Sequence, residues 1–473
     1  MTSIKPVGGG LIPLLVIASA QLMVVLDDSI VNIALPSIQR ELDIAPTLLP
    51  WVVNAYILAF GALLLLGGRV GDLWGRRRTL RLGLSVFVGA SLLGGLGVSV
   101  EMLIAARAVQ GIGAAMAAPN ALALIATTFS ERKMRDQALS LYGAMSGLGI
   151  ILGLLLGGVL TDVLNWRWVF FINVPIGVLV LLGTRTLASA GRHGGRLGGI
   201  GAALATAGMV SLVYAITRFG EDGLTDAVAY ILIAVAVVLL AMFVRTQRST
   251  NSPLVPLSLF DDHNRAGAYL TMLGLAIGPM GTFYVITLYM QQVAGFSPLR
   301  TGLSWLPFAL GIMLGAGIAP KLLLKTGPRY VAAIGATLGA GGVFWFSLIE
   351  METNYWSLMA PAMLLIALGF GLGTIALTQA AVYGVQPDRA GIASALLNSA
   401  QQIGVALGLA ILAGVAATVT ARAGNSGPQG LIDGYSTALI VGAGVLLATA
   451  VLALAMLSKE PQPVESSTHV TVV

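Results

Sequence analysis

Stretches of about twenty apolar residues recur along nearly the whole chain, separated by short polar connections. This repetition constrains the fold more than any motif does. A helix needs roughly 20 apolar residues to cross a hydrocarbon core of about 30 Å. A window of that size finds fourteen stretches, at 12–36, 49–68, 79–99, 103–127, 138–161, 168–187, 199–217, 228–245, 266–291, 303–323, 330–349, 357–383, 391–419 and 436–457. The expected fold is an all-α polytopic membrane protein. The first stretch starts soon after Lys5, but it is too long for a signal peptide and holds carboxylates. No small-residue cleavage site follows it, so it reads as a retained helix.

Composition excludes several classes. Of 473 residues 57% are hydrophobic and 10% charged, against about 25% charged in a soluble domain. There is no cysteine, which rules out disulfides, thiol catalysis and thiolate metal sites. His193, His263 and His469 all fall in polar stretches, so no imidazole pair sits at membrane depth and no metal is expected. No Gly-Lys dipeptide exists to build a phosphate-binding P-loop, and no GxSxG or HExxH occurs. Neither an enzyme, a nucleotide nor any other cofactor is expected.

The charges that remain are sorted by side. With the N-terminus inside, 20 of the 26 basic residues fall in cytoplasmic loops. Arg40, Arg167, Arg218, Arg300 and Arg422 fall outside, and Arg107 lies within a span. That asymmetry predicts a multi-pass protein of the cell inner membrane with both termini cytoplasmic. It also accounts for the net charge of +6 without nucleic-acid binding.

The expected organisation is a six-helix bundle over 1–190, two linker helices over 191–250, a second six-helix bundle over 251–460 and a cytoplasmic tail over 461–473. GGRVGDLWGRRR (67–78) and KLLLKTGPRY (321–330) echo each other. Aligning Gly75 with Gly327 pairs Arg77 with Arg329, while Leu324 replaces Asp72. The echo fits an internal repeat of the transporter kind; it also fits short loops that carry Gly and Arg only for topology. In GAMSGLGIILGLLLGG (143–158), Gly149, Gly153, Gly157 and Gly158 have the spacing of a close helix–helix contact. The same glycines would ease bending.

Ionisable residues at membrane depth are the sharpest functional signal. Asp27 and Asp28 lie well inside the first span, where a centred Asp costs about 2.5–3.5 kcal/mol. Arg107 in the fourth span differs from them in depth by about 6 Å, at 1.5 Å per residue, a gap an arginine spans. A carboxylate whose arginine contact changes with conformation can carry a proton; a static ion pair between two helices is the plainer reading. At 100° per residue Gln21, Asp28 and Asn32 fall within about 40° of one another, which puts Asp28, not Asp27, on the polar stripe. A cavity would draw on Asn32, Asn54, Tyr56, Gln110, Asn120, Tyr142, Tyr284, Gln291, Gln379, Asn398 and Gln402, although such residues more often make interhelical hydrogen bonds than touch substrate. Acids on one helix alone do not suit a polycationic substrate.

Together these segments resemble the major facilitator superfamily, in its fourteen-helix drug:proton antiporter branch. LDDSIVNIALPSI (26–38) is similar to that branch's helix 1 signature, with Asp27 at the aspartate and Ser29 at the threonine. GRVGDLWGRR (68–77) resembles its gating loop, through Gly68, Gly71, Asp72, Gly75, Arg76 and Arg77. RAVQGIG (107–113) resembles the helix 4 motif whose arginine serves proton coupling. WRWVFFINVPIG (166–177), LYMQQVAGFSPLRTGLSWLP (288–307) and GIASALLNSAQQIGVALG (391–408) look like further signatures. The antiporter motif of helix 5 is matched at Gly149, Gly153, Gly157 and Gly158, with Leu154 in place of its proline. The resemblance implies a monomeric, proton-coupled exporter of small amphipathic or aromatic compounds, working in lipid by alternating access. It favours Asp27 as proton carrier, where periodicity favours Asp28. A proton symporter or facilitator for a metabolite or lipid is the alternative within the class, and a non-transporting scaffold or receptor the alternative outside it.

Overall fold

The structure is a computed structural model that describes residues 10–129, 131–187, 197–222, 225–250, 253–386, 389–422 and 427–459. Lys5, Arg192, Arg196, His193, His469, the boundary at 190/191 and the tail 461–473 lie outside the described residues. Among those described, the regular elements are all helices. In chain order they are α1 (Leu11–Leu42), α2 (Trp51–Trp74), α3 (Arg76–Gly95), α4 (Val100–Thr128), α5 (Arg132–Val163), α6 (Trp168–Phe171), α7 (Asn173–Gly183), α8 (Gly199–Asp222) and α9 (Ala227–Ser249). There follow α10 (His263–Gln292), α11 (Pro298–Ser304), α12 (Leu306–Phe346), α13 (Ala360–Val382), α14 (Ala390–Arg422) and α15 (Pro428–Met456).

Twelve segments among the described residues are long and apolar enough to cross a membrane. The sequence reading counted fourteen, and two places account for the difference. Helix α3 begins on Arg76, Arg77 and Arg78, which dilutes its apolar run. Pro298–Phe346 counts as one segment of 49 residues; at 1.5 Å per residue it would run about 74 Å, against a core of about 30 Å. It is broken at Gly327 (φ 76°, ψ 170°). Gly75, its partner in the sequence alignment, is also left-handed (φ 99°) and turns the chain from α2 into α3. A side chain at either position would be strained.

Packing follows the same order twice. Helix α1 lies on α5, and α4 lies between α2 and α3; α10 lies on α14, and α13 lies along both limbs of α12. Helices α8 and α9 pack on each other, and α8 also reaches α2 and α14. There Thr418 Oγ1 donates to Gly220 O at 3.0 Å. Arg218 pairs with Asp226 at 2.6 Å, and Asp226 caps α9. Close approach replaces hydrophobic drive in such packing. A Cβ built at Gly67 would lie 2.0 Å from Ala115 O, and one at Gly111 2.4 Å from Tyr56 O.

One buried cation belongs to packing alone. Arg265, at the start of α10, donates to Ala381 O at 3.1 Å and Tyr383 O at 3.2 Å, the last carbonyls of α13, and to Leu259 O at 3.4 Å. A cation suits the negative end of a helix. Arg265→Ala leaves these acceptors unpaired and is expected to cost about 2–4 kcal/mol, read as a lower unfolding temperature of the purified protein.

Candidate functional site

The middle of α1 carries the charge. Asp27 and Arg107 are both fully buried and meet at 2.5 Å, Arg107 Nη1 to Asp27 Oδ2. The other carboxylate oxygen accepts from Gln110 Nε2 at 3.1 Å and Asn173 Nδ2 at 2.7 Å. Gln110 follows Arg107 by three residues, so the two share a face of α4. Arg107 Nη1 donates to Gln110 Oε1 at 3.1 Å and Nε to Val52 O at 3.0 Å, and the guanidinium lies 4.3 Å from the Tyr56 ring centre. Gln110 Nε2 also reaches Ser91 Oγ at 2.7 Å. Helices α1, α2, α3, α4 and α7 thus converge on one ion pair. Burying both charges is offset only when their hydrogen bonds are made.

Asp28 is separate from this cluster. Its side chain is half-buried, and among the described residues no hydrogen bond or ion pair holds its carboxylate. Asn32 Nδ2 donates to the Asp28 carbonyl at 2.8 Å, and Gln21 Nε2 to Ser146 Oγ at 3.0 Å. The polar stripe read from periodicity is therefore distinct from the face that makes the ion pair.

The remaining polar residues divide by environment. Tyr56 is buried, its hydroxyl 3.5 Å from Val24 O. Asn54 is buried, and among the described residues neither of its side-chain polar atoms has a partner. Asn120 is buried under the second helix, donating to Gly67 O at 2.9 Å and Met116 O at 2.8 Å; the gap left by Gly71, where a Cβ would meet Asn120 Oδ1, admits it. Tyr142 is half-buried, 3.5 Å from Ala118 O, and Tyr284 is buried on α10. Gln379 and Gln402 are half-buried, and Asn398 is exposed. Asn54, Gln110, Asn120, Tyr56 and Tyr284 thus lie inside helix packing, which fits the interhelical one of the two readings open for them.

The residues that resemble a gating loop stay within the first group of helices. Asp72 and Arg76 pair at 3.3 Å, and Arg76 Nη1 donates to Ala123 O at 3.1 Å. Gly68 packs near Pro119, and Arg77 is half-buried. On α5, a Cβ at Gly149, Gly153 or Gly157 would strike α1, at 2.9 Å from Val25, 2.6 Å from Ser29 and 2.8 Å from Ile30 O. Gly158 instead faces α11, where a Cβ would lie 2.8 Å from Leu299 Cα. Across that contact, a Cβ at Gly302 would lie 2.3 Å from Leu154 O. Further links join the two groups. Gln291 Nε2 donates to Ile33 O at 2.9 Å, Gln292 Nε2 to Gln39 Oε1 at 2.9 Å and Ser399 Oγ to Gly61 O at 3.0 Å. Most of these lie toward the side opposite the arginine-rich α2–α3 turn.

Two features escaped the sequence reading. Asn173 lies within WRWVFFINVPIG, and a lone amide in an apolar run is itself a signal of a buried polar contact. The start of that motif is a staple on the side opposite the arginines. Glu41 accepts from Trp166 Nε1 at 2.7 Å and pairs with Arg167, which also donates to Gly97 O at 3.2 Å.

Helices of membrane length around a buried ion pair define a polytopic membrane protein with an intramembrane charge site. Residues 17–409 match the Major Facilitator Superfamily, and the chain belongs to that family of membrane transporters rather than to any class of enzyme. A puromycin resistance protein of Streptomyces alboniger is 41% identical over 466 residues, covering 96% of this chain and 92% of that one. A cephamycin export protein of Amycolatopsis lactamdurans is 40% identical, covering 93% and 91%. Among solved structures, a nucleoside transporter, NupG, superposes with a TM-score of 0.66 at 13% identity, covering 94% of this chain and 100% of that one; this likeness concerns the fold.

Proposed function

We propose that the protein exports small amphipathic or aromatic compounds, antibiotics among them, from the cytoplasm in exchange for protons. The observation that carries the coupling is the buried Asp27–Arg107 pair at the middle of α1. An ionisable pair so placed is costly and marks a proton or ion pathway. The relatives named for puromycin resistance and cephamycin export carry the substrate class. In this reading the chain crosses the cell inner membrane fourteen times, with α3 and the two limbs of α12 counted singly. Both termini are cytoplasmic and the monomer in lipid is the working unit. Residues 1–190 and 251–460 move as bundles, with 191–250 between them.

Asp27 is the proton carrier and Arg107 its tuning partner, while Asp28 presents charge to the passage between the bundles. Asn32, Tyr142, Asn398 and Gln402, half-buried or exposed, together with the half-buried Gln379, are the polar groups a substrate would meet there. The captured state is open toward the arginine-rich side. Cross-bundle contacts gather at the other end, and a Cβ at Gly143, Gly147, Gly317 or Gly391 would meet nothing within 4 Å. Asp72, Arg76 and Arg77 then make their cross-bundle contacts only in the opposite state, which is how such contacts shift a population.

Labelled puromycin and everted membrane vesicles test the proposal. Acidifying the vesicle interior is expected to drive uptake, and puromycin addition to release interior protons. Uptake unaffected by collapsing the gradient would defeat exchange, and proton movement in the same direction as puromycin would establish symport instead.

A further inference from the structure

Every contact that the structure gives Asp27 is from a donor: Arg107 Nη1, Gln110 Nε2 and Asn173 Nδ2. Such a shell suits a carboxylate, which only accepts. A carboxylic acid in the same place would have no acceptor for its O–H, and a buried unpaired donor is costly. A proton carrier must be housed in both forms, so one neighbour has to change from donor to acceptor. Arginine has no acceptor atom. Gln110 is committed at both ends, since Oε1 accepts from Arg107 and Nε2 also reaches Ser91 Oγ. Asn173 is different. It is fully buried, and among the described residues its Oδ1 has no partner.

We propose that Asn173 is the positioning residue that follows the proton on Asp27. Its Nδ2 is presented to the carboxylate, and its Oδ1, after a half-turn about χ2, to the acid. The inference rests on the reading of Asp27 as carrier. A carboxamide is nearly symmetric in shape, and its terminal torsion is broad and roughly two-fold, so the half-turn requires no repacking around α7. When the proton arrives, the O–H bond forms on Asp27, the hydroxyl donates to Asn173 Oδ1, and the half-turn exchanges an acid O–H held against a donor for a neutral amide N–H in the place Oδ1 leaves, which removes the donor–donor repulsion. When it leaves, the hydrogen bond reverses and Asp27 again accepts from Nδ2. The other charged or titratable groups that act on Asp27 are Arg107 of α4, Asp28 of α1 and the Tyr56 phenol of α2. Helix α3 contributes neutral Ser91, and α5 meets α1 through its glycines.

The test is an infrared pH titration of the purified full chain in nanodiscs, with the carboxyl band of Asp27 assigned by its loss in Asp27→Asn. In the wild type the protonated band is expected at the frequency of a hydrogen-bonded acid. In Asn173→Leu it should move to that of an unbonded acid. A donor to an ionised group is stronger than one between neutral groups, so losing it favours the proton. The titration midpoint should rise by about one pH unit, a tenfold gain in proton affinity. Asn173→Ala provides the same reading if the leucine variant does not fold. Asn173→Ser, whose hydroxyl both donates and accepts, should restore the bonded band. An unchanged band and midpoint in both the leucine and alanine variants overturns the role of Asn173. A titrating band that persists in Asp27→Asn overturns the carrier assignment itself.

Discussion

Asp27→Asn is expected to reduce gradient-driven puromycin uptake into everted vesicles to the background of vesicles lacking the protein. The side chain keeps its shape, and its remaining oxygen can still accept from Arg107. Its new amide nitrogen faces Gln110 Nε2 and Asn173 Nδ2, donor against donor, where the carboxylate oxygen had accepted at 3.1 and 2.7 Å. Turning Asn173 relieves one conflict, so the fold should survive with a loss of about 1–3 kcal/mol. What disappears is the titratable charge, and with it any way for a pH gradient to bias the transport cycle. Substrate exchange at equal pH should persist, because a permanently neutral site mimics the protonated carrier. Arg107→Leu should behave differently. It strands a buried carboxylate, and breaking one partner of such a pair costs about 3–5 kcal/mol, so reduced expression and a lower unfolding temperature should accompany lost transport. Asp28→Asn, with no hydrogen-bonded network to disturb, should leave the unfolding temperature unchanged and weaken uptake only partly. Gradient-driven uptake that survives in Asp27→Asn but vanishes in Asp28→Asn would transfer the carrier role to Asp28.

The sequence anticipated the helical architecture because hydrocarbon permits little else: length and apolarity alone locate most of the spans. It placed Asp27 and Asp28 together within reach of Arg107 for a similar reason, since opposite charges at membrane depth seek each other, without choosing between the two. What periodicity could not distinguish was a packed polar face from an open one. Asp28 shares a stripe with Gln21 and Asn32, yet the fully buried partners lie some 100° away on the face toward α4 and α7. That contact depends on which helices lie beside α1, and no local pattern encodes it. Asn120 illustrates the same difficulty. An amide in a span serves a cavity or a neighbouring backbone equally well, and only the gap left by Gly71 shows that it serves the backbone. A window of about twenty apolar residues divides the long segment through Gly327 into two stretches, 303–323 and 330–349, whereas helix continuity by itself joins them.

Gly302→Leu is expected to shift the protein away from the conformation described and to abolish net transport. A Cβ at this position would sit 2.3 Å from Leu154 O, and the obstacle is backbone rather than a side chain that can rotate away. On the facing helix, Gly158 is blocked in the same manner by Leu299 Cα and Pro298 O. Helices α5 and α11 therefore meet at the side opposite the arginine-rich turn only because neither carries a side chain at the contact. Overpacking typically costs about 1–3 kcal/mol, and here the cost falls on one state alone, because separating the bundles at that side removes the clash. A differential of that size shifts a two-state equilibrium by about 5–150-fold. The chain contains no cysteine, so spin labels on cysteines introduced at Asn165 and Ser297 report the opening without background. The distance between them should lengthen in Gly302→Leu and Gly158→Leu. Gly143→Leu and Gly147→Leu, on the same α5 but with nothing within 4 Å of the built Cβ, should leave that distance unchanged. If all four variants opened the labelled side alike, general loosening of α5 would explain the result and the specific contact with α11 would not. Transport should fail in the first pair for a stated reason: a cycle needs both states, and a leucine in this contact removes one of them.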